Sequence, residues 1–332
     1  MTKESTQRII WIDFVKVLAI TIIVLNHSGA ITSPITSPFL ALGSLLFFTI
    51  NGALVLKKER NIRYFISKAL KILFVFVFWG SISSITQMVL NGESLSIVSV
   101  FKNTLELRMG YAHIFWFLCT LFALYCIYPA LQSSIRDPQT CAFLVVISFL
   151  FCFKVYGYRI PTYNIPNIFV GWESESVFLA LCGYIIISHN SGFAHRKIRL
   201  LCLAFIVVMY LSQMLAYSGI PFFSKHTPDD IASATFSFHK SPFVMLMALA
   251  IVLTLKYTKL SYNRLIEVIG QNTLGIYVTH GFFMRFARVF ASEYINSQFI
   301  GKLIEFVIGF SLSLILSVLL SKNKYTKFLI SL

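Results

Sequence analysis

Three ionisable residues interrupt the first apolar segment of the chain, and their spacing puts them on one helical face. Residues Ile9 to Gly29 carry Asp13, Lys16 and His27 in an otherwise apolar run. Each helical residue turns the chain by about 100° and raises it about 1.5 Å, so Lys16 and His27 differ by only about 20° and lie roughly 16 Å apart along the axis. Asp13 precedes Lys16 by three, a spacing at which the two side chains can pair. An imidazole, with an unperturbed pKa near 6.5, exchanges protons around neutrality. A charge at mid-bilayer costs on the order of 2.5–3.5 kcal/mol even on the lenient insertion scale, so such residues usually face a protein interior. In a plainer reading Asp13 and Lys16 snorkel to the near interface and His27 meets water at the far one. That account suits a single residue; three on one stripe favour a site.

The second group with chemical capacity is basic. Residues 57–71 read KKERNIRYFISKALK, six cations and one acid. Arg60 and Arg63 are three apart, as are Lys68 and Lys71, so on a helix each pair points one way. Two cations on one face can hold a pyrophosphate or a phosphorylated nucleotide through charge-assisted hydrogen bonds. The competing reading is membrane anchoring on the cytoplasmic side, and it suffices for Lys57 and Lys58. Spacing alone leaves both readings open for the other four.

These residues need a membrane scaffold. Of 332 residues 57% are hydrophobic and 12% charged, and the mean hydropathy is +0.77, far from a soluble globular composition. Apolar stretches recur at residues 9–29, 38–56, 72–90, 113–132, 140–157, 176–188, 199–216, 241–255, 268–284 and 303–321. Most approach the length that crosses about 30 Å of hydrocarbon. The expected fold is all-α: a single integral domain over residues 1–332, with about ten transmembrane helices and both termini on one side.

Charge sets the expected orientation. With the N-terminus inside, nineteen of the 28 basic residues but only five of the 13 acids fall on the inner side, so nearly all of the net +15 is a cytoplasmic excess. The chain is expected to be N-in and C-in. No separate basic domain is present that would read as a nucleic-acid footprint. The first apolar run is too long for a cleavable signal core and lacks a small-x-small site after it. Cys119, Cys126, Cys141, Cys152, Cys182 and Cys202 all lie in apolar segments without a CxxC pair. Buried thiols acting as small apolar residues are expected, with no disulfide and no metal site.

Three further stretches stand out. Residues 44–56, SLLFFTINGALVL, place Asn51-Gly52 inside an apolar helix; residues 113–129, HIFWFLCTLFALYCIYP, form an aromatic-rich span containing His113 and Trp116. Residues 270–283, GQNTLGIYVTHGFF, contain Gly275, Tyr277 and His280. Aromatic stripes usually belong to packing or interfacial belts, and Gly52 and Gly275 are best explained by close helix approach. His280 is different: a titratable group deep in an apolar span calls for a polar neighbour or a cavity.

In order and spacing these segments resemble the membrane-bound acyltransferase family 3, which includes bacterial O-acetyltransferases of surface polysaccharides. The first helix of that family carries an Asp, then an Arg or Lys, and after ten intervening residues a His, matching Asp13, Lys16 and His27. The second typically reads Phe-Phe-x-x-Ser-Gly; Phe47-Phe48-Thr49-Ile50-Asn51-Gly52 keeps the pattern with Asn for Ser. An Arg-x-x-Arg pair usually precedes the third helix. By position that pair is Lys68-Ala69-Leu70-Lys71, with a literal Arg60-Asn61-Ile62-Arg63 just upstream. HIFWFL is similar to the family's His-x-x-Trp-Phe-Leu run, and TLGIYVTH to its Ser-Leu-Gly-Ile-Tyr-x-x-His.

The resemblance implies transfer of an acetyl group from acetyl-CoA to a hydroxyl of a cell-surface or undecaprenyl-linked glycan, at a bacterial inner membrane and without a permanently bound cofactor. An alcohol is a weak nucleophile at neutral pH and needs a base. His27 suits that role, with an acyl-His27 relay as the alternative. Asp13 would hold Lys16, which would line the donor channel, and Arg60, Arg63, Lys68 and Lys71 would meet the donor's phosphates. Asn51, His113, Trp116, Tyr277 and His280 would support the site. Loop 217–240, with Lys225, His226, Asp229, Asp230 and His239, is a candidate acceptor contact or a solvated loop. Two rivals fit the composition: a polysaccharide flippase or transporter, which should show internal repeats, and a glycan polymerase, which should show a large outer loop.

Overall fold

The computed structural model describes residues 9–31, 33, 35–106, 112–152, 174–189, 195–217 and 241–331. Among the described residues the secondary structure is entirely helical. The chain runs through α1 (Ile10–Ser28), α2 (Ser37–Leu40), α3 (Leu42–Leu56), α4 (Ile62–Leu90), α5 (Ile97–Glu106), a 3₁₀ turn (Ala112–Phe115) and α6 (Trp116–Ser134). It continues with α7 (Pro138–Cys152), α8 (Ser174–Ser188), α9 (His195–Tyr217), α10 (Pro242–Lys256), α11 (Arg264–Gln271), α12 (Thr273–Tyr294), α13 (Gln298–Ser321) and α14 (Lys324–Lys327). Within the described residues each apolar stretch of the sequence falls largely on helix. By length and composition six segments suffice to cross a bilayer: Ile10–Ser28, Ser37–Leu56, Ile62–Leu90, Trp116–Ser134, His195–Met214 and Gln298–Ser321. The apolar parts of α7, α8 and α10 are shorter.

The helix ends follow local chemistry. Asn61 caps α4 by accepting from the Tyr64 N–H at 3.0 Å, and Asn263 caps α11 by accepting from the Leu265 N–H at 2.8 Å. Gly29 ends α1 at φ 66°, a left-handed conformation that glycine adopts without steric cost. Exposed Asp137 starts α7: hydrogen bonds from the side chain and backbone N–H of Thr140 hold its carboxyl below the usual range. Two boundaries depart from the sequence reading. The basic run is mostly helix, because the Asn61 cap lets α4 begin at Ile62, ahead of the apolar stretch. Stretch 268–284 is broken at Asn272, which accepts from Ser317 Oγ at 2.9 Å and separates α11 from α12.

Small residues let the helices approach closely. A Cβ on Gly52 would lie 2.1 Å from the Ala180 carbonyl oxygen, and one on Gly183 1.9 Å from that of Thr49, so α3 and α8 touch backbone to backbone. A Cβ on Gly275 would meet Ser317 Oγ at 2.0 Å, which joins α12 to α13. Helix α1 occupies the middle, packed on α3, α10, α11, α12 and α13. Helix α5 folds back along α4, with Thr104 against Gly80 and 3.2 Å from Ser84 Oγ. The last residues return to the bundle: Trp79 Nε1 donates to the Leu329 carbonyl at 3.0 Å, and Ile330 is buried beside Gly275. None of the five described cysteines is in a disulfide, and Cys126, unlike Cys119, Cys141 and Cys202, is exposed on the perimeter. The side chain of Cys152 lies outside the described residues.

Candidate active site

Helix α1 carries the three ionisable residues on one uninterrupted helix. Asp13 is buried near its start, and a Cβ on Gly270 at the end of α11 would lie 3.0 Å from Asp13 Oδ1. Glycine there makes room for the carboxylate. Lys16 is half-buried, and both side chains engage neighbours. His27 lies about 21 Å from Asp13 along the axis.

At that level α12 supplies the polar neighbour that His280 demanded. His27 Nδ1 lies 2.8 Å from His280 Nε2. The ring planes differ by 6° and the centroids are 5.0 Å apart. Combined with so short an N···N distance, this separation describes rings meeting edge to edge in nearly one plane, where each nitrogen's proton or lone pair points. His280 is fully buried, and its Nδ1 lies 2.6 Å from the Tyr277 carbonyl oxygen and 3.2 Å from that of Ile276.

These carbonyls fix the proton positions. A carbonyl only accepts, so His280 Nδ1 carries the hydrogen and its Nε2 presents a lone pair. His27 Nδ1 must then be the donor across the 2.8 Å contact. In the neutral pair the lone pair of His27 is therefore on Nε2. A proton arriving at Nε2 makes an imidazolium that still donates through Nδ1 to His280. The second imidazole holds the first in one tautomer and orientation, as a buried partner does for a catalytic histidine elsewhere.

Tyr277, one turn from His280, joins a third element to the pair. Its hydroxyl donates to the Ile114 carbonyl of the 3₁₀ turn, and its ring meets Phe117 at 5.4 Å and Phe115 at 6.4 Å. The turn that contains His113 is thereby anchored beside α12; the side chain of His113 lies outside the described residues. Trp116 is half-buried, edge-on to Phe48 and Phe117. Asn51 is on another face, accepting from the buried Tyr128 hydroxyl at 2.6 Å and so linking α3 to α6.

The four cations divide differently from their spacing in sequence. Arg60 precedes α4, its guanidinium 4.7 Å from the Tyr64 ring centre, and Lys68 Nζ lies 5.8 Å from the same centre. Gln132 of α6 accepts from the Arg60 N–H at 3.1 Å and donates to the Lys58 carbonyl at 2.6 Å, fixing this strip. Arg63 and Lys71 instead line a separate groove with Phe328. The structure thus brings together Arg60 with Lys68, and Arg63 with Lys71. Loop 217–240 with Lys225, His226, Asp229, Asp230 and His239 lies outside the described residues, apart from the backbone of its first residue, Tyr217.

A family model described as an acyltransferase domain matches residues 9–322, nearly the whole chain. The chain belongs to acyltransferase family 3. It is an acyltransferase carried on membrane helices. No curated protein and no solved structure matches it. The match includes Asp13, Lys16, His27, Arg60, Lys68 and His280, whereas Phe328 lies beyond it.

Sequence reasoning missed several polar contacts of α12. The pairing of His27 with His280 bridges 253 positions. Arg285 donates to Gln87 of α4, and Arg288 reaches Glu305 of α13 at 2.8 Å. The signal available was the presence of Arg285, Arg288 and Glu305 in apolar surroundings; their partners obey no short spacing. Among the described residues no His, Cys, Asp or Glu cluster could hold a metal ion.

Proposed function

We propose that this acyltransferase moves an acetyl group from acetyl-CoA to a hydroxyl of a lipid-linked or cell-surface glycan, with His27 as general base. The observation that carries this reading is the His27–His280 hydrogen bond, pinned by the Tyr277 carbonyl, which leaves the lone pair of His27 on Nε2. In the proposed step the acceptor hydroxyl gives its proton to His27 Nε2 as its oxygen attacks the thioester carbonyl. A C–O bond forms, the C–S bond breaks, and the imidazolium returns the proton to the departing thiolate. Atoms and charge balance with no other reactant.

The proposed topology has ten membrane crossings with both termini in the cytoplasm, in a bacterial inner membrane. Helix α12 counts among the ten although His280, Arg285 and Arg288 lower its hydropathy. Arg60 and Lys68, beside Tyr64 and with the Arg60 backbone tied to α6 through Gln132, are proposed to meet the donor's phosphates on the cytoplasmic side. The pantetheine arm would then pass Lys16, held by Asp13, over the roughly 16 Å to His27. That favours acetylation near the outer face, on an undecaprenyl-linked or exported saccharide.

The test is transfer of radiolabelled acetyl from acetyl-CoA by membranes containing the protein, with NMR of the surface glycan in cells with and without the gene. Label in the glycan together with a new O-acetyl resonance supports the reading. Glycan chemistry identical in the two strains refutes the acceptor class.

A further inference from the structure

The groove between the start of α4 and the C-terminal segment encloses about 470 Å³ and is lined by Arg63, Ile66, Ser67, Leu70, Lys71, Phe74 and Phe328. The α4 residues recur at helical intervals of three and four, so they form one stripe. Phe65, Ala69, Ile72, Val75 and Phe76 are buried in the bundle, so the stripe faces outward. Its apolar members are open: Ile66 is 52% exposed, Leu70 59%, Phe74 48% and Phe328 44%. On a membrane protein such a surface meets hydrocarbon.

Two cations on that surface need an anion. Among the described residues no acidic side chain lines the groove. Lys71 Nζ has Ser331 Oγ at 3.4 Å and the Phe328 ring centre at 4.8 Å, and the charges of Lys68 and Lys327 reach it as well. The wall is fixed, because Trp79 holds the Leu329 carbonyl and Ile330 is buried. The position also suits an amphipathic ligand: Lys71 stands just before the apolar stretch 72–90, where headgroups give way to acyl chains, and Arg63 begins about 12 Å nearer the helix start, on the headgroup side. A soluble donor whose thioester must reach His27 needs an opening into the bundle, whereas this groove opens away from it.

We propose that this groove binds an anionic phospholipid of the adjoining leaflet, its phosphate held by Arg63 and Lys71 and one acyl chain lying on Leu70, Phe74 and Phe328. The inference rests on the protein's lying in a bilayer and is independent of the donor and acceptor assigned above.

The experiment is native mass spectrometry of the delipidated full-length protein titrated with the anionic lipid POPG or the zwitterionic POPC. POPG should be retained at least tenfold more tightly than POPC. Arg63→Gln with Lys71→Gln should erase the preference, whereas Arg60→Gln with Lys68→Gln should keep it. Millimolar inorganic phosphate and CoA should leave bound POPG in place. Equal retention of the two lipids overturns the proposal, as does undiminished POPG preference in the groove variant. Displacement by CoA or by phosphate also overturns it, reassigning the groove to the donor or to a free anion. Should the double variant fail to accumulate, the two single variants are read the same way.

Discussion

His27 Nδ1 and His280 Nε2 lie 2.8 Å apart, and the proton between them belongs to His27 because the Tyr277 carbonyl already holds the proton of His280 on Nδ1. A backbone atom of α12 thus decides which nitrogen of an α1 side chain is basic. The order is imposed by position in the fold, since helical carbonyls ordinarily accept from the N–H four residues on. The imidazole of His280 takes a carbonyl of its own preceding turn without leaving the helix.

His27→Ala should therefore abolish acetyl transfer while the protein still accumulates in the membrane, a loss of at least about 10²-fold if the role is general base. His280→Ala should lower kcat by a similar order with little change in the donor KM, because it removes only the partner that orients His27. His280→Gln should recover part of that loss, since an amide oxygen can accept from His27 Nδ1. Steady-state kinetics on purified protein separates the cases. A Gln variant no better than Ala would assign His280 to packing alone.

One substitution at two glycines should have opposite outcomes. Gly52→Ala drives a Cβ to 2.1 Å from the Ala180 carbonyl oxygen, which forces α3 and α8 apart. At Gly301 in α13 the nearest atom is Ala291 Cβ at 3.7 Å, ordinary contact. There alanine gains helix propensity worth up to about 1 kcal/mol. Thermal unfolding in detergent should show a marked loss for Gly52→Ala and none for Gly301→Ala. Equal midpoints would mean that α3 and α8 have slack at their contact.

Much of this architecture was legible in the sequence. The shared face of Asp13, Lys16 and His27 follows from helical geometry, and the close approach at Gly52 and Gly275 from the need of small residues at helix contacts. His280 announced a polar neighbour but could not name it, because helix spacing describes relations within one element only. Which helix lies beside which is decided by the packing of the whole bundle, and that packing brings α12 to α1. The start of α4 depends on a single hydrogen bond, Asn61 to Tyr64, that apolar patterning does not register. The return of Leu329 to Trp79 was hidden for the same reason.

Reporter fusions after Lys58, Arg196 and Lys324 should all report cytoplasm, and a fusion near Asp229 the opposite side. The expectation follows from the distribution of Lys and Arg between alternate connectors. A fusion at Lys324 on the opposite side from Lys58 would require an odd number of crossings between them and would end the ten-span arrangement.

Of the two cation pairs, Arg60 with Lys68 is the one proposed for the donor's phosphates. Arg60 and Lys68 share the Tyr64 ring, and Tyr125 of α6 lies within electrostatic reach of both Tyr64 and Arg60. If these cations grip CoA phosphates, position matters, because a charge-assisted bond is lost when its donor faces away. Each such bond contributes about 1.5–3 kcal/mol, reduced where water screens it. Arg60→Gln with Lys68→Gln should weaken acetyl-CoA binding about tenfold or more. Lys57, Lys58, Arg63 and Lys71 remain to keep the segment inside, so the topology should hold. Isothermal titration of acetyl-CoA into the purified protein, beside the reporter fusions in the same background, gives both answers. Unchanged affinity with unchanged topology would remove this pair from the donor site, and the search for the phosphate contacts would have to move to the other cytoplasmic connectors.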